Sequence, residues 1–222
     1  MKAERKRIQT SDSFRLGAIL ALSGGFQDAY TYVLRGRVFS NAQTGNVVLL
    51  SQNLMSGRYS QALHYLFPIL VFALGIYLAE IIRFRFKDLA GHHWRQTIVL
   101  AEVVILALVA LIPSSLDPLA TSLVSFACAM QVEAFRKLHG NGYATTMCIG
   151  NLRSAMENLS IYTRLGSPAH LEKFLYYIGI ILVFALGAGL GSIISQNLGL
   201  KAILLCCPML LIAYALMFKE EV

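Results

Sequence analysis

The sequence has few charged residues for its length. Only 14% of its 222 residues are Asp, Glu, Lys or Arg, whereas soluble globular domains contain about 25%. Apolar residues make up 56% of the chain, and the mean hydropathy is +0.60. This composition excludes an ordinary soluble domain. It predicts an all-α polytopic membrane protein, whose main partner is the lipid bilayer.

Motifs for catalysis and for metal binding are also missing. The chain has no His-Glu-x-x-His, no Gly-x-Ser-x-Gly and no phosphate-binding glycine loop. None of its five histidines has a His or Cys partner at i+3 or i+4, and the four cysteines lie in apolar segments without the spacing of secreted proteins. We therefore expect no enzyme, no metal site, no cofactor and no structural disulfide.

The net charge of +7 does not indicate a nucleic-acid partner. The basic residues lie in short loops beside hydrophobic segments, where they set the orientation of a membrane protein. Six of these segments are long enough to cross a hydrocarbon core of about 30 Å. They lie near 14–34, 65–83, 97–113, 118–135, 174–194 and 200–218.

Two shorter and more polar segments lie near 38–54 and 143–159. If all eight segments crossed the membrane, nine Lys and Arg would lie on each side, with Arg153 inside a segment. If the two polar segments enter and leave by the same face, fourteen lie on the cytoplasmic side and four outside. The second count follows the positive-inside rule. It predicts six spanning helices, two re-entrant or broken polar segments, and cytoplasmic N- and C-termini.

An internal repeat relates the two halves of the chain. The seven residues 69–75 recur without change at 181–187. Polar residues recur too: Asp28 matches Glu133, and Gly45-Asn46 matches Gly150-Asn151, both at an offset of 105 residues. Because each half has an odd number of spans, the second half is expected upside down relative to the first. The predicted divisions are a basic cytoplasmic tail (1–12), a first membrane repeat (13–113), an external linker (114–117) and a second, inverted membrane repeat (118–222).

The two polar segments carry the candidate substrate pathway. Irregular backbone at membrane depth is tolerated where protein or water satisfies its N–H and C=O groups, so such segments tend to line cavities. The alternative is that small polar residues serve helix packing. Arg153 is either an anion-binding residue or the partner of Glu157 at i,i+4. The candidate pathway residues are Asn41, Gln43, Thr44, Gly45, Asn46, Thr145, Thr146, Gly150, Asn151 and Arg153.

Two acidic residues are candidates for binding a coupling ion. Asp28 lies inside the first predicted helix and Glu133 inside the fourth, where a charge is costly and a functional role is the first hypothesis. The alternative for Glu133 is an ordinary surface pair with Arg136 or Lys137. Glu102 also lies within a predicted helix and has no obvious partner in the sequence.

Several motifs resemble those of a known family. The run GGFQDAY at 24–30, followed by Asn41-x-x-Thr44-Gly45-Asn46, is similar to the signature of the bacterial YoaK family, six-helix membrane proteins of unknown function. Thr145-Thr146-x-x-x-Gly150-Asn151 is similar to that family's second conserved region. A departure is Glu133, where a small polar residue would be expected. The resemblance implies six helices in a bacterial inner membrane, and it implies no substrate.

These observations favour a small secondary transporter or channel in the bacterial inner membrane. We expect a small polar or anionic solute, with proton coupling as one option, and two chains could associate as a homodimer because six helices form a small unit. The alternative function is a non-transporting membrane scaffold or assembly partner. That alternative does not account for polar residues repeated in two segments at membrane depth.

Overall fold

The computed structural model describes residues 14–86, 94–138, 141–142 and 148–217. This part of the chain is almost entirely helical, as the composition predicts. The exception is a short antiparallel pair of strands, β1 (Lys137–Leu138) and β2 (Asn141–Gly142). The described α-helices are α1 (Phe14–Leu34), α2 (Gln43–Met55), α3 (Tyr59–Phe86), α4 (Trp94–Val109), α5 (Asp117–Ala134), α6 (Cys148–Leu165), α7 (Pro168–Leu198) and α8 (Cys206–Met217).

The helices agree with the segments predicted from hydropathy. Each of the six long apolar windows overlaps one helix, and the two polar segments overlap α2 and α6. A 3₁₀ turn at Ser114–Leu116 separates the halves. Gly199, with a φ of 60°, ends α7. It is the first residue of the 3₁₀ segment Gly199–Leu205, which leads to α8.

Helices α1 and α5 lie at the centre of the molecule. Helix α1 packs mainly against α7, and α5 packs mainly against α3. Glycine makes both crossings close. A Cβ placed on Gly187 would overlap the carbonyl group of Leu22, and a Cβ on Gly75 would lie 2.8 Å from the carbonyl oxygen of Phe126. These repeated glycines therefore serve packing within the chain.

The helix contacts occur in matching pairs when α1 to α4 are exchanged with α5 to α8. The α1–α7 contact then corresponds to α5–α3, the α2–α3 contact to α6–α7, and the α4–α5 contact to α8–α1. The contact between α4 and α8 corresponds to itself. The sequence repeat is thus accompanied by a repeated pattern of helix packing.

Large apolar side chains cover much of the outer surface. Leu70, Leu74 and Tyr77 on α3 are exposed, as are Leu182 and Leu186 on α7. Such a continuous apolar surface is typical of association with a membrane. By length and hydropathy, two helical stretches among the described residues could each cross one: Tyr59–Phe86 and Pro168–Met217.

Arg35 joins four parts of the fold just after the end of α1. Its side chain is fully buried and forms an ion pair with Asp117 at 2.8 Å. The same guanidinium donates to the carbonyl oxygens of Val109 and Ile112 and to the hydroxyl of Tyr30, which donates to the carbonyl oxygen of Leu200. We call this region, where α1 and α4 end and α5 begins, the Arg35 end.

Candidate functional site

The loop that follows α1 turns back along this helix. Helix α1 runs from residue 14 to 34, so Gly24 is ten residues from each of its ends. The side-chain amide of Asn41 donates to the carbonyl oxygen of Gly24 at 3.2 Å. With a rise of 1.5 Å per residue, the loop has returned by about 15 Å, to the middle of α1.

Asp28 receives this loop. Its Oδ1 accepts one hydrogen bond from the hydroxyl of Ser40 at 2.9 Å and another from the backbone N–H of Asn41 at 2.7 Å. Asp28 is 7% exposed and Ser40 is fully buried. A buried carboxyl group of α1 therefore binds the non-helical backbone of the loop that lies against this helix.

Asn46 gives the loop its shape. It accepts from the backbone N–H of Phe39 and donates to the carbonyl oxygen of the same residue and to Oε1 of Gln43. Gln43 in turn donates to the carbonyl oxygen of Ser40. Gly45 lies against the ring of Phe39, where a Cβ would be 3.0 Å from a ring carbon. These residues, predicted for the substrate pathway, hold the loop in place, while the nearby Thr44 is exposed.

Helix α2 leads the chain back to the Arg35 end. Asn53, near its end, lines a cavity of about 590 Å³ together with Gly36, which directly follows Arg35. The carbonyl oxygen of Gly36 lies 3.1 Å from Nε2 of His64 in the second turn of α3. The start of the loop and the end of α2 therefore lie at the same end of the molecule.

A second polar group lies one residue away on α1. Nε2 of Gln27 donates to Glu102 on α4 at 2.9 Å and to Ser23 at 3.1 Å, and the thiol of Cys128 on α5 donates to Oε1 of Gln27. Glu102 and Gln27 are fully buried. The sequence alone marked Glu102 as an unexplained acid, but it gave no signal that Gln27 would reach it across 75 positions of the chain.

The second half of the chain is arranged differently around Glu133. Its Oε1 lies 2.9 Å from an Nη1 of Arg136, one turn further along the chain. The carboxyl group of Glu80 is also within interaction range of Glu133. Asp28 and Glu133 are equivalent in sequence, yet among the described residues Asp28 binds a loop and Glu133 pairs with an arginine of its own end of the helix.

The remaining predicted pathway residues belong to one short segment, 145–153. Asn151 is buried in the first turn of α6, whereas Gly150 and Arg153 are exposed. Thr145 and Thr146 lie outside the described residues. Cys148, which begins α6, is close enough to Asp28 for electrostatic interaction. The start of α6 and the loop before α2 thus both lie near Asp28.

The profile of a family described as "Protein of unknown function (DUF1275)" matches residues 16–217 of the chain. No curated protein and no solved structure matches it.

Proposed function

The chain belongs to this family of unknown function, and we propose that it is a small secondary transporter or channel in the bacterial inner membrane. The return of loop 35–42 to the middle of α1, where it binds buried Asp28, carries the proposal. Irregular backbone deep in a membrane protein needs internal polar partners. In transporters such broken segments form the sites for solutes and coupling ions.

We propose six membrane spans in two inverted repeats, with both termini in the cytoplasm. The distribution of basic residues, fourteen against four, supports this orientation. The matching helix contacts of the two halves support the repeat. In this arrangement α2 and α6 are the re-entrant helices and the Arg35 end faces outward.

The cavity at the Arg35 end suits a small polar or anionic solute. It has about 590 Å³, within the range of ordinary ligand sites, which is about 300 to 1,000 Å³. Asn53, Ser60, Gln61 and His64 supply polar groups, and no acidic residue is among its described lining. Arg58 donates to Asn53 at 2.8 Å and so places a positive charge beside the cavity.

We assign the coupling ion to Asp28. Its carboxyl group is buried in α1 and directly binds the loop, so a change in its charge would act on the loop without any intermediate residue. Glu133 is paired with Arg136 and is less suited to this role. Coupling then consists of ion binding at Asp28 and movement of loop 35–42.

Solute flux in proteoliposomes tests the proposal. The reconstituted chain is assayed with a panel of small neutral and anionic solutes, with and without imposed proton and sodium gradients. We expect saturable uptake of at least one solute, and we expect Asp28→Asn to abolish it while the variant remains folded. Glu80→Gln, which alters a carboxyl group beside Arg83 instead, serves as the control. Absence of flux across the whole panel would favour a scaffold.

A further inference from the structure

We propose that Asp28, Ser40 and Asn41 bind a small monovalent metal cation, with Na⁺ as the probe that fits the site best. Only the role of the ion in coupling rests on the proposed function. Ion binding itself can be measured without solute flux. It starts from the oxygen atoms that the loop brings to the middle of α1.

The first observation is an unsatisfied oxygen. Asn41 is 4% exposed, its side-chain nitrogen donates to Gly24, and its Oδ1 is buried without a hydrogen-bond donor in the described part of the chain. Leaving a buried acceptor unsatisfied costs about 1 to 3 kcal/mol. Reversing the amide would not help, because the NH₂ group would then lose its carbonyl acceptor.

The second observation is a buried carboxylate without a cationic partner. The hydrogen bonds that the carboxyl group of Asp28 accepts come from neutral groups of Ser40 and Asn41. The ion pairs that the structure describes join other acids to arginine, and none includes Asp28. Buried charges in proteins are paired with an opposite charge or bind a metal ion.

Asn41 is held against the same stretch of α1 as Asp28 by two hydrogen bonds. The backbone of Asn41 bonds Asp28, and its side chain bonds Gly24, one turn earlier in the same helix. The hydroxyl oxygen of Ser40, which donates its proton to Asp28, keeps lone pairs for a metal. Carboxylate, amide and hydroxyl oxygens are hard ligands.

The charge of the site favours a monovalent ion. Asp28 supplies one negative charge and the other two ligands are neutral, so a bound Na⁺ leaves the site neutral at a depth where net charge is costly. The neighbouring titratable groups are the thiols of Cys128 on α5 and Cys148 on α6. Neither brings a positive charge that would compete with the cation.

Equilibrium binding of ²²Na⁺ to the purified full chain in a choline buffer tests the site. We expect saturable binding of one ion per chain, displaced by unlabelled Na⁺. Asp28→Asn should abolish binding, and Asn41→Ala should weaken it by about tenfold or more, as is common when a metal site loses an oriented ligand. The matched control is Glu133→Gln, which removes the sequence-equivalent carboxyl group and should bind ²²Na⁺ as the wild type does.

A second measurement needs no variant. Na⁺ should raise the thermal unfolding temperature of the wild-type chain more than choline at equal ionic strength, because a ligand that binds only the folded state stabilises it. Absence of both saturable ²²Na⁺ binding and this stabilisation would overturn the site. Stabilisation by acid but not by Na⁺ would also overturn it and would assign Asp28 to a proton. Binding without solute flux would instead leave the site intact and refute the transporter.

Discussion

Asp28 and Glu133 occupy equivalent positions in the two halves of the sequence, 105 residues apart, yet their surroundings differ. Asp28 is bonded to a hydroxyl group and to a backbone N–H, both neutral. Glu133 is instead paired with Arg136 on its own helix. The same kind of side chain therefore faces a loop in one half and a positive charge in the other.

The two equivalent acids have different partners although the packing of the two halves is similar. The helix contacts around α1 and α5 still correspond, and the glycines at both crossings remain. After α1, residues 35–42 fold back on this helix. After α5, the described residues Lys137–Leu138 pair with Asn141–Gly142. Packing is retained because it determines stability in both halves, while the partners of the two equivalent acids differ.

The largest effect on stability is expected at the Arg35 end. Asp117→Leu removes the carboxylate that pairs with fully buried Arg35. Removing one partner of a buried pair costs about 3 to 5 kcal/mol, since the remaining charge is uncompensated. We expect a large fall in thermal stability, measured by circular dichroism and size-exclusion chromatography in detergent.

The double variant Arg35→Met, Asp117→Leu is the control for that substitution. It removes both charges, so it should be more stable than Asp117→Leu alone. A single variant that unfolds within a degree or two of the wild type would contradict a structural role for the pair.

Substitutions at the two glycine crossings should lower the free energy of unfolding by less than Asp117→Leu does, and by different amounts. Gly187→Ala drives a Cβ into the backbone carbonyl of Leu22, and we expect a loss of about 3 kcal/mol, at the upper end for overpacking. Gly75→Ala meets Ala129 and Phe126 at 2.8 Å and should cost less, about 1 to 2 kcal/mol. Thermal unfolding of both variants in the same detergent measures the difference.

Gly189→Ala provides a matched control on the same helix as Gly187. Its Cβ would meet no atom within 4 Å, so the gain in helix propensity, up to about 1 kcal/mol, should leave stability unchanged or slightly higher. Equal losses at positions 187 and 189 would show that the α1–α7 crossing is looser than its geometry indicates.

The smallest effect is expected at Glu133. Glu133→Gln breaks an i,i+3 pair whose arginine is 44% exposed, and such helix-surface pairs contribute about 0.2 to 0.5 kcal/mol. The unfolding temperature of Glu133→Gln should stay close to that of the wild type. Its ion binding should also be unchanged, whereas Asp28→Asn should lose ion binding. A fall as large as that of Asp117→Leu would show that Glu133 has a structural role beyond this pair.

Much of the helical architecture could be predicted from the sequence. The window 14–34 coincides with α1, and the polar segments near 38–54 and 143–159 contain α2 and α6. Hydropathy along the chain is a local property, so it locates helices well. The surface pair of Glu133 with Arg136 was likewise an available alternative, because residues three apart on a helix are neighbours.

The polar contacts between distant residues were not predictable in the same way. Gln27 meets Glu102, and Arg35 meets Asp117, across 75 and 82 positions. Nothing in the sequence indicated that the side chain of Arg35 would be fully buried. The sequence also did not indicate that Asn46, a candidate pathway residue, would bond Phe39 and Gln43 within its own loop. No local pattern specifies which helix a polar side chain will face.

The sequence by itself determined the helical class, the approximate helix limits and the repeat, because each depends on residues close together or on similarity between two segments. Only the tertiary structure decided that loop 35–42 reaches Gly24 and that Asp28, rather than Glu133, receives it. The physical reason is that a buried polar group must find a partner wherever packing places one. That partner is set by how helices cross, which depends on glycine contacts between segments far apart in the chain.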